Sequence, residues 1–188
     1  INGADDAPVL STPTAGSIAE TAGSSDTTTS GLTGTLSASD ADGNTLTYAI
    51  TGGSTTDGVS TLAGSYGSLS LNTSTGAYTY TPDSSAVEAL DNGDSVTDSF
   101  TLTATSGTDT TSATYTVNLT GADDSSVISA TSTGSLTEDS GTSTVTGSIS
   151  IADPDADDSP SFPDVSSTAS DNGYGSYSLS SGAWSYTL

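Results

Sequence analysis

The chain of 188 residues contains no lysine, arginine, histidine, cysteine or methionine, against 23 aspartates and glutamates, so its formal net charge is −23. Each absence excludes something. Without cations, no carboxylate finds a salt-bridge partner inside the chain, and the balancing charge comes from solvent ions or bound metal. Binding to nucleic acid or to phosphate normally relies on lysine and arginine, and an anionic membrane surface would repel such a chain. Without cysteine there are no disulfides and no thiol chemistry; without histidine, no Ser–His–Asp arrangement is possible. No apolar run approaches a transmembrane length and no signal-peptide pattern opens the chain. Its abrupt start, "INGADDAPVL", reads as an excerpt or a mature segment. Secretion stays open, because metal ions replace disulfides as staples in some extracellular domains.

What is present is serine and threonine, roughly 40% of residues, a strong departure from average usage. At 31% hydrophobic the chain verges on a disordered composition. The regular placement of its apolar residues argues otherwise. They alternate with Ser and Thr in short segments: Leu32, Gly34, Leu36 and Ala38; Leu46, Tyr48 and Ile50; Leu69 and Leu71; Tyr78 and Tyr80; Phe100, Leu102 and Ala104; Ala113, Tyr115, Val117 and Leu119. Alternation at period two is the pattern of half-buried strands, and β-branched threonine suits their solvent face. Turn-forming stretches separate the segments: "DADGN", "TGGS", "NTSTG", "DNGD" and "SGTD". One short helix is expected within Asp83–Gly93, where Ser and Asp caps precede Ala86, Glu88, Ala89 and Leu90. The fold class is all-β, with about seven short strands per unit in an antiparallel sandwich.

The chain also repeats itself. "AGSIAETAGSS" from Ala15 returns as "TGSLTEDSGTS" from Thr133, and "LTGTLSASDAD" from Leu32 returns as "VTGSISIADPD" from Val145. "YGSLSL" from Tyr66 returns as "YGSYSL" from Tyr174, "GAYTYT" from Gly76 as "GAWSYT" from Gly182, and "GADD" from Gly3 as "GADD" from Gly121. One repeat spans roughly 118 residues, an ordinary domain length. The expected organisation is the tail of a preceding repeat at 1–6, a first repeat at 7–122, and a second at 123–188. The second is incomplete: Leu188 corresponds to Pro82, so it lacks counterparts of the strands between Val96 and Leu119. Either the chain is a cut from a longer array, or a neighbouring chain supplies strands by augmentation. The first is preferred, since "INGADD" matches the end of "NLTGADD".

Most acids are read as turn residues, Asp57, Asp109 and Asp171 among them. Asp40-x-Asp42 differs by recurring as Asp153-x-Asp155, followed by Asp157 and Asp158. Carboxylates, carbonyls and Asn oxygens are what Ca²⁺ takes, six to eight at a time in flexible geometry; soft metals would want Cys or His. An EF-hand is excluded, because Gly43 and Thr51 stand at its fourth and twelfth positions.

These motifs together resemble a known family. "AETAGSSDTTTSGLTGTLSASDADGNTLTYAI" is similar to the start of a cadherin repeat, and "GTLSASDADGNTLTYAI", "GSLSLNTSTGAYTYTP", "DSFTLTATSGTD" and "VNLTGADDSS" follow the order of the VCBS-type, cadherin-like repeats of large bacterial surface proteins. The resemblance covers one full repeat and about two-thirds of another. It implies tandem Ig-like sandwiches with Ca²⁺ at the junctions. Carried over by residue, it implies ligands Asp123 and Asp124 from the linker, Asp153 and Asp155 from the second repeat, and Glu20 and Asp91 from the first. At the start of the chain the matching set is Asp5, Asp6, Asp40, Asp42 and Asn44, and Glu138 would serve a following junction. Departures are Ser106 in place of an Asp, Ala122-Asp123 in place of Asn-Asp, and no Pro after the linker; they imply fewer ligands per junction.

The function implied is structural and not enzymatic: a segment of a secreted or cell-surface bacterial adhesin or biofilm protein, forming a calcium-stiffened rod, with neighbouring repeats as partners and neither nucleic acid nor membrane insertion. Two alternatives stand beside it. One is the subunit of a self-assembling extracellular filament, completed by strand donation between identical chains. The other is a carbohydrate-binding module using Tyr66, Tyr78, Tyr80 and Trp184, although their alternation with Ser and Thr favours core positions. The sequons at Asn72 and Asn118 are of the kind that chance supplies in a Ser/Thr-rich chain.

Overall fold

The computed structural model describes residues 4–131 and 133–188, so half of the six-residue segment read as a preceding repeat's tail lies outside it. The chain divides into two compact units, Ile1–Asp123 and Asp124–Leu188.

Unit 1 is a sandwich of two five-stranded sheets. In chain order its strands are β1 (Val9–Leu10), β2 (Gly16–Thr21), β3 (Ser24–Ser30), β4 (Thr33–Thr35), β5 (Ala38–Ser39), β6 (Thr47–Ile50), β7 (Ser54–Thr56), β8 (Val59–Ala63), β9 (Gly67–Asn72), β10 (Ala77–Pro82), β11 (Ser95–Ser106) and β12 (Asp109–Thr120). One sheet runs β4-β10-β9-β8-β7 and the other β3-β2-β12-β11-β6, with β1 paired to β5. All pairings are antiparallel except β2 on β12, where Val117 faces Gly16 and Leu119 faces Ile18. The long hairpin β11–β12 is the centre of the second sheet. It stays in register from Ser95↔Thr120 to Ser106↔Asp109.

The inward positions of that hairpin are Phe100, Leu102, Ala104, Tyr115, Val117 and Leu119, each at most 2% exposed. They meet Leu69, Leu71, Tyr78 and Tyr80 from the facing sheet. Burying an aliphatic or aromatic side chain of this size stabilises by about 1.5–3 kcal/mol, which makes this layer the main source of the unit's stability. Glycine serves the packing where a ring must lie flat on the backbone. A Cβ on Gly34 would stand 2.4 Å from the Tyr78 hydroxyl oxygen, and one on Gly67 would stand 2.5 Å from Thr81 O and from the Tyr80 ring.

The expected helix is a single turn, α1 (Ser84–Val87), capped by the Asp83 carboxylate, which accepts from the amides of Ser85 and Ala86. It buries Val87 and stops there. Past Glu88 the amides close turns instead of continuing the ladder: Leu90 N donates to Val87 O at 3.0 Å and Asp94 N to Asp91 O at 2.9 Å.

The buried tyrosines set an alkaline limit. Burial pushes the Tyr115 phenol up to about 12, with the nearby Tyr78 adding to it, and burial likewise raises Tyr78 and, together with the adjoining Asp98 carboxylate, Tyr80. A phenol whose folded pKa lies above its unfolded value of 10 contributes stability that is intact below pH 10 and lost as the pH climbs through the folded value. Unit 1 is therefore expected to lose stability between pH 10 and about 12. Denaturant melts at fixed pH would check this, and a flat stability profile across that window would contradict it.

Unit 2 reproduces one of these sheets. Its strands are β13 (Val127–Ala130), β14 (Thr144–Ala152), β15 (Val165–Ala169), β16 (Ser176–Ser180) and β17 (Ala183–Thr187), in the order β13-β14-β17-β16-β15. The correspondence reaches individual contacts. Val127↔Ala152 repeats Val9↔Ser39, and Ile149 N donates to Gly182 O at 2.8 Å as Leu36 N donates to Gly76 O at 2.9 Å. A Cβ on Gly147 would meet the Trp184 ring as one on Gly34 meets Tyr78. The β16–β17 turn is tighter than its counterpart: Ser181 and Gly182 both take positive φ, 47° and 82°, as a two-residue hairpin turn of right-handed twist demands. No strand forms at Gly134–Glu138, the counterpart of β2. In unit 1 that strand hydrogen-bonds to β12.

Candidate metal centres at the unit ends

The two Asp-x-Asp motifs follow strands that end in loops, and both fold the same way. Asp40 Oδ1 accepts from the amides of Asp42 at 3.0 Å and Asn44 at 3.1 Å; Asp153 Oδ1 accepts from Asp155 N at 3.2 Å. The second acid of each motif fastens the linker. Asp42 Oδ2 accepts from Asp6 N at 2.7 Å, and Asp155 Oδ2 accepts from Asp124 N at 2.7 Å. The repeated "GADD" and "DxD" are thus one device, in which the first aspartate shapes its own loop and the second holds the linker backbone.

At the start of unit 1, Asn44 Nδ2 also donates to Asp5 Oδ1 at 2.9 Å, gathering Asp5, Asp6, Asp40, Asp42 and Asn44. The Asn44 amide is the largest cause that holds the Asp40 carboxyl below its ordinary 3.8; the nearby Ser106 hydroxyl and the amides of Asp42 and Gly43 add to it. The stability this contributes is present above pH 3.8 and is lost as the pH falls through the lowered folded value. Asp40 Oδ2 is shut off from solvent and accepts no hydrogen bond of good geometry. A carboxylate oxygen in that state is costly unless something positive completes it. Ser106, which stands where the family pattern carries an Asp, is buried beside it.

At the other end of unit 1, Glu20 is buried on β2, and its Oε2 accepts from Ala122 N at 3.1 Å. Glu88, just after α1, brings a carboxylate oxygen within 4.8 Å of one on Glu20, and Asp91 does the same with Asp123. Asp91 N donates to Asp94 Oδ2 at 3.2 Å, which fixes the "DNGD" turn. Within unit 2, Asp153, Asp155 and Asp158 each place a carboxylate oxygen within 4.8 Å of the others. Ser126 Oγ donates to Asp153 Oδ2 at 2.6 Å. Among the described residues, the acids at the start of unit 1 do not gather three carboxylate oxygens so closely. Glu138 is exposed in a turn and joins none of these groups. Glu88 and Asp158 were outside the ligand set read from the sequence. Glu88 sits one turn of chain from Asp91, and Asp158 three residues beyond Asp155, so local clustering of acids was the available signal.

The groups gathered in these clusters are carboxylate and amide oxygens, a hard donor set of the kind that suits Ca²⁺ or Mg²⁺ and no soft metal. Pairs and triads of carboxylates fall short of the six to eight oxygens Ca²⁺ takes, so an ion there would also need water or backbone carbonyls.

The pattern of the bacterial cadherin-like domain matches residues 5–121. The chain belongs to that family. The match takes in β1 to β12, the whole of the unit 1 sandwich, and both the N-terminal acids and Glu20, Glu88 and Asp91. No curated protein matches the chain. Bacterial cadherin-like domains occur in extracellular surface proteins, are typically structural and not enzymatic, and generally bind Ca²⁺. Of the four aromatic residues weighed as a sugar platform, Tyr78 and Tyr80 are core residues of this cadherin-like domain and Tyr66 packs against them, whereas Trp184 is partly exposed in unit 2. Asn72 and Asn118, of the two sequons, have structural partners. Asn72 Oδ1 accepts from Ser74 N and Thr75 N, and Asn118 Oδ1 accepts from Thr97 Oγ1. Among the described residues no helix is long and apolar enough to cross a membrane.

Proposed function

We propose that this cadherin-like chain is a structural repeat segment of a secreted or cell-surface bacterial adhesin or biofilm protein, and that Ca²⁺ held by its terminal acids stiffens an extended rod. The observation that carries the reading is the recurrence of one linker device, Asp6 N on Asp42 and Asp124 N on Asp155, each beside further carboxylates. Holding several carboxylates together in a chain of charge −23 without a single cation is unfavourable on its own. A divalent ion reverses the sign of that interaction and converts repelling acids into a clamp. Asp40, Asp42, Asp5, Asp6 and Asn44 would serve at the N-terminal end; Glu20, Asp91 and Asp123 at the other end of unit 1; Asp124, Asp153 and Asp155 in unit 2. Its partners on this reading are neighbouring repeats, and its work is spacing.

Saturating Ca²⁺ at about a hundredfold above its dissociation constant is expected to stabilise by about 2.7 kcal/mol, which raises the melting temperature by roughly 10 °C in a domain of this size. EDTA should reverse the gain and increase flexibility seen by small-angle scattering. Equal melting temperatures and scattering dimensions with Ca²⁺ and with EDTA would sink the reading.

A further inference from the structure

Three Asn-Gly dipeptides occur in the chain, at Asn2, Asn92 and Asn172. The first lies outside the described residues. The other two are exposed and each follows an Asp, yet their turns place the glycine amide differently. The stretch Asp91-Asn92-Gly93-Asp94 is a turn closed by Asp94 N donating to Asp91 O at 2.9 Å. Gly93 is the third residue of that turn, with a φ of +101°. A four-residue turn leaves the amide of its third residue out of the closing bond. Among the described residues the Gly93 amide has no acceptor, and a Cβ on Gly93 would meet nothing within 4 Å. The stretch Ser170-Asp171-Asn172-Gly173 is a turn displaced by one residue. There the glycine is fourth, and Gly173 N itself donates to Ser170 O at 2.8 Å. The side chain of Asn92 is also free to swing. Those of Asn44, Asn72 and Asn118 are held by hydrogen bonds, whereas among the described residues none holds the carboxamide of Asn92.

We propose that Asn92 is a site of spontaneous deamidation through Gly93, and that the Gly173 hydrogen bond holds Asn172 back from the same reaction. The Gly93 amide gives its proton to hydroxide, and its nitrogen attacks Cγ of Asn92. The new N–Cγ bond closes a five-membered succinimide. The Cγ–Nδ2 bond breaks, and Nδ2 leaves as ammonia with a proton taken from water. Water then opens the ring at either carbonyl. Opening at Cγ gives aspartate; opening at the main-chain carbonyl gives isoaspartate, in which the backbone runs through the former side chain. Both products add a carboxylate, and isoaspartate also adds a methylene to the backbone between Asp91 and Asp94. Glycine favours the attack because no side chain covers its nitrogen. The turn is not a neutral place for such a change. Asp94 O accepts from Gly121 N at 3.1 Å, next to the Ser95↔Thr120 pair at the open end of the β11–β12 hairpin. A Cβ on Gly121 would lie 2.4 Å from Asp91 O, so turn and chain are closely packed there. A lengthened turn loses the Asp94–Asp91 bond and draws Asp94 away from Gly121, and the new charge falls beside Asp91. This inference is independent of calcium.

The test ages the unmodified 188-residue chain at mildly alkaline pH, once folded and once in guanidinium. Chymotryptic peptides separate the two asparagines (trypsin has no lysine or arginine to cut at), and mass spectrometry reads the replacement of NH₂ by OH in each. Giving up the Gly173 hydrogen bond is expected to slow Asn172 roughly fivefold relative to Asn92 in the folded chain. In guanidinium the two should convert at similar rates, since the same dipeptide then has the same freedom. Labelling by an isoaspartyl methyltransferase should mark the Asn92 peptide first. Asn92→Asp gains the charge without the methylene, and it should melt above the aged chain. Three results overturn the proposal: Asn92 intact in the folded chain while it converts in guanidinium, Asn92 converting no faster than Asn172 in the folded chain, or the folded ratio persisting in guanidinium. An aged chain that melts with Asn92→Asp would overturn the consequence drawn for the turn.

Discussion

Asp98→Ala is expected to destabilise unit 1 by about 3–5 kcal/mol, a large share of the roughly 5–15 kcal/mol that holds an ordinary domain folded. Asp98 is 4% exposed, in the apolar heart of β11. Its carboxylate accepts from Ser65 N at 2.8 Å, from Tyr66 N at 3.1 Å and from Tyr80 Oη at 2.7 Å. It joins the loop between β8 and β9 to the facing sheet and fixes the Tyr80 ring, which lies edge-on to Phe100. Removing the acceptor strands three donors in a place water does not reach, and an unsatisfied buried donor costs about 1–3 kcal/mol. Denaturant titration followed by tyrosine fluorescence would measure the loss. A cost under 1 kcal/mol would show that the loop finds other acceptors.

Gly67→Ala should be nearly as damaging, at about 3 kcal/mol, although it adds a single methyl group. That methyl carbon would lie 2.5 Å from the Thr81 carbonyl oxygen and 2.5 Å from the Tyr80 ring. Neither can give way cheaply. Thr81 is locked in the β9–β10 ladder opposite Ser68, and Tyr80 is tethered to Asp98. Overpacking a core usually costs about 1–3 kcal/mol, and here the obstacle is backbone as well as side chain. The same change at the exposed Gly52, whose Cβ would meet nothing within 4 Å but whose φ is +81°, separates backbone strain from steric conflict. Gly67→Ala is expected to cost clearly more than Gly52→Ala, and equal losses would argue against the clash.

The strands that alternate apolar with hydroxyl residues were legible: β6, β9, β10, β11 and β12 each bury one side. Those without apolar content were not. β3, "SSDTTTS", and β7, "STT", lie at sheet edges, where pairing demands no apolar pattern. The β7–β8 hairpin did announce itself in Asp57-Gly58, the dipeptide of a two-residue turn, and both residues have positive φ, 50° and 78°. Asp57 is a turn residue, as read. Asp98 was missed, yet the signal was there: it occupies the inward register of Val96, Phe100 and Leu102, where an acid has no reason to be unless something is bonded to it. The linker device was half legible. Sequence showed that "GADD" and "DxD" recur together, but only the fold shows that the second aspartate of each pair spends an oxygen on the linker amide, leaving the first to shape its loop.

The central claim, that the terminal acids hold Ca²⁺, is tested most directly by calorimetric titration of the chain with CaCl₂, beside variants Asp40→Asn and Asp153→Asn/Asp155→Asn. Saturable Ca²⁺ binding is predicted for the unmodified chain, with binding at one group of sites weakened at least tenfold by Asp40→Asn and at another by the Asp153 and Asp155 pair, and each variant retaining the other group. A flat titration of the unmodified chain, or binding indifferent to both sets of substitutions, would contradict it.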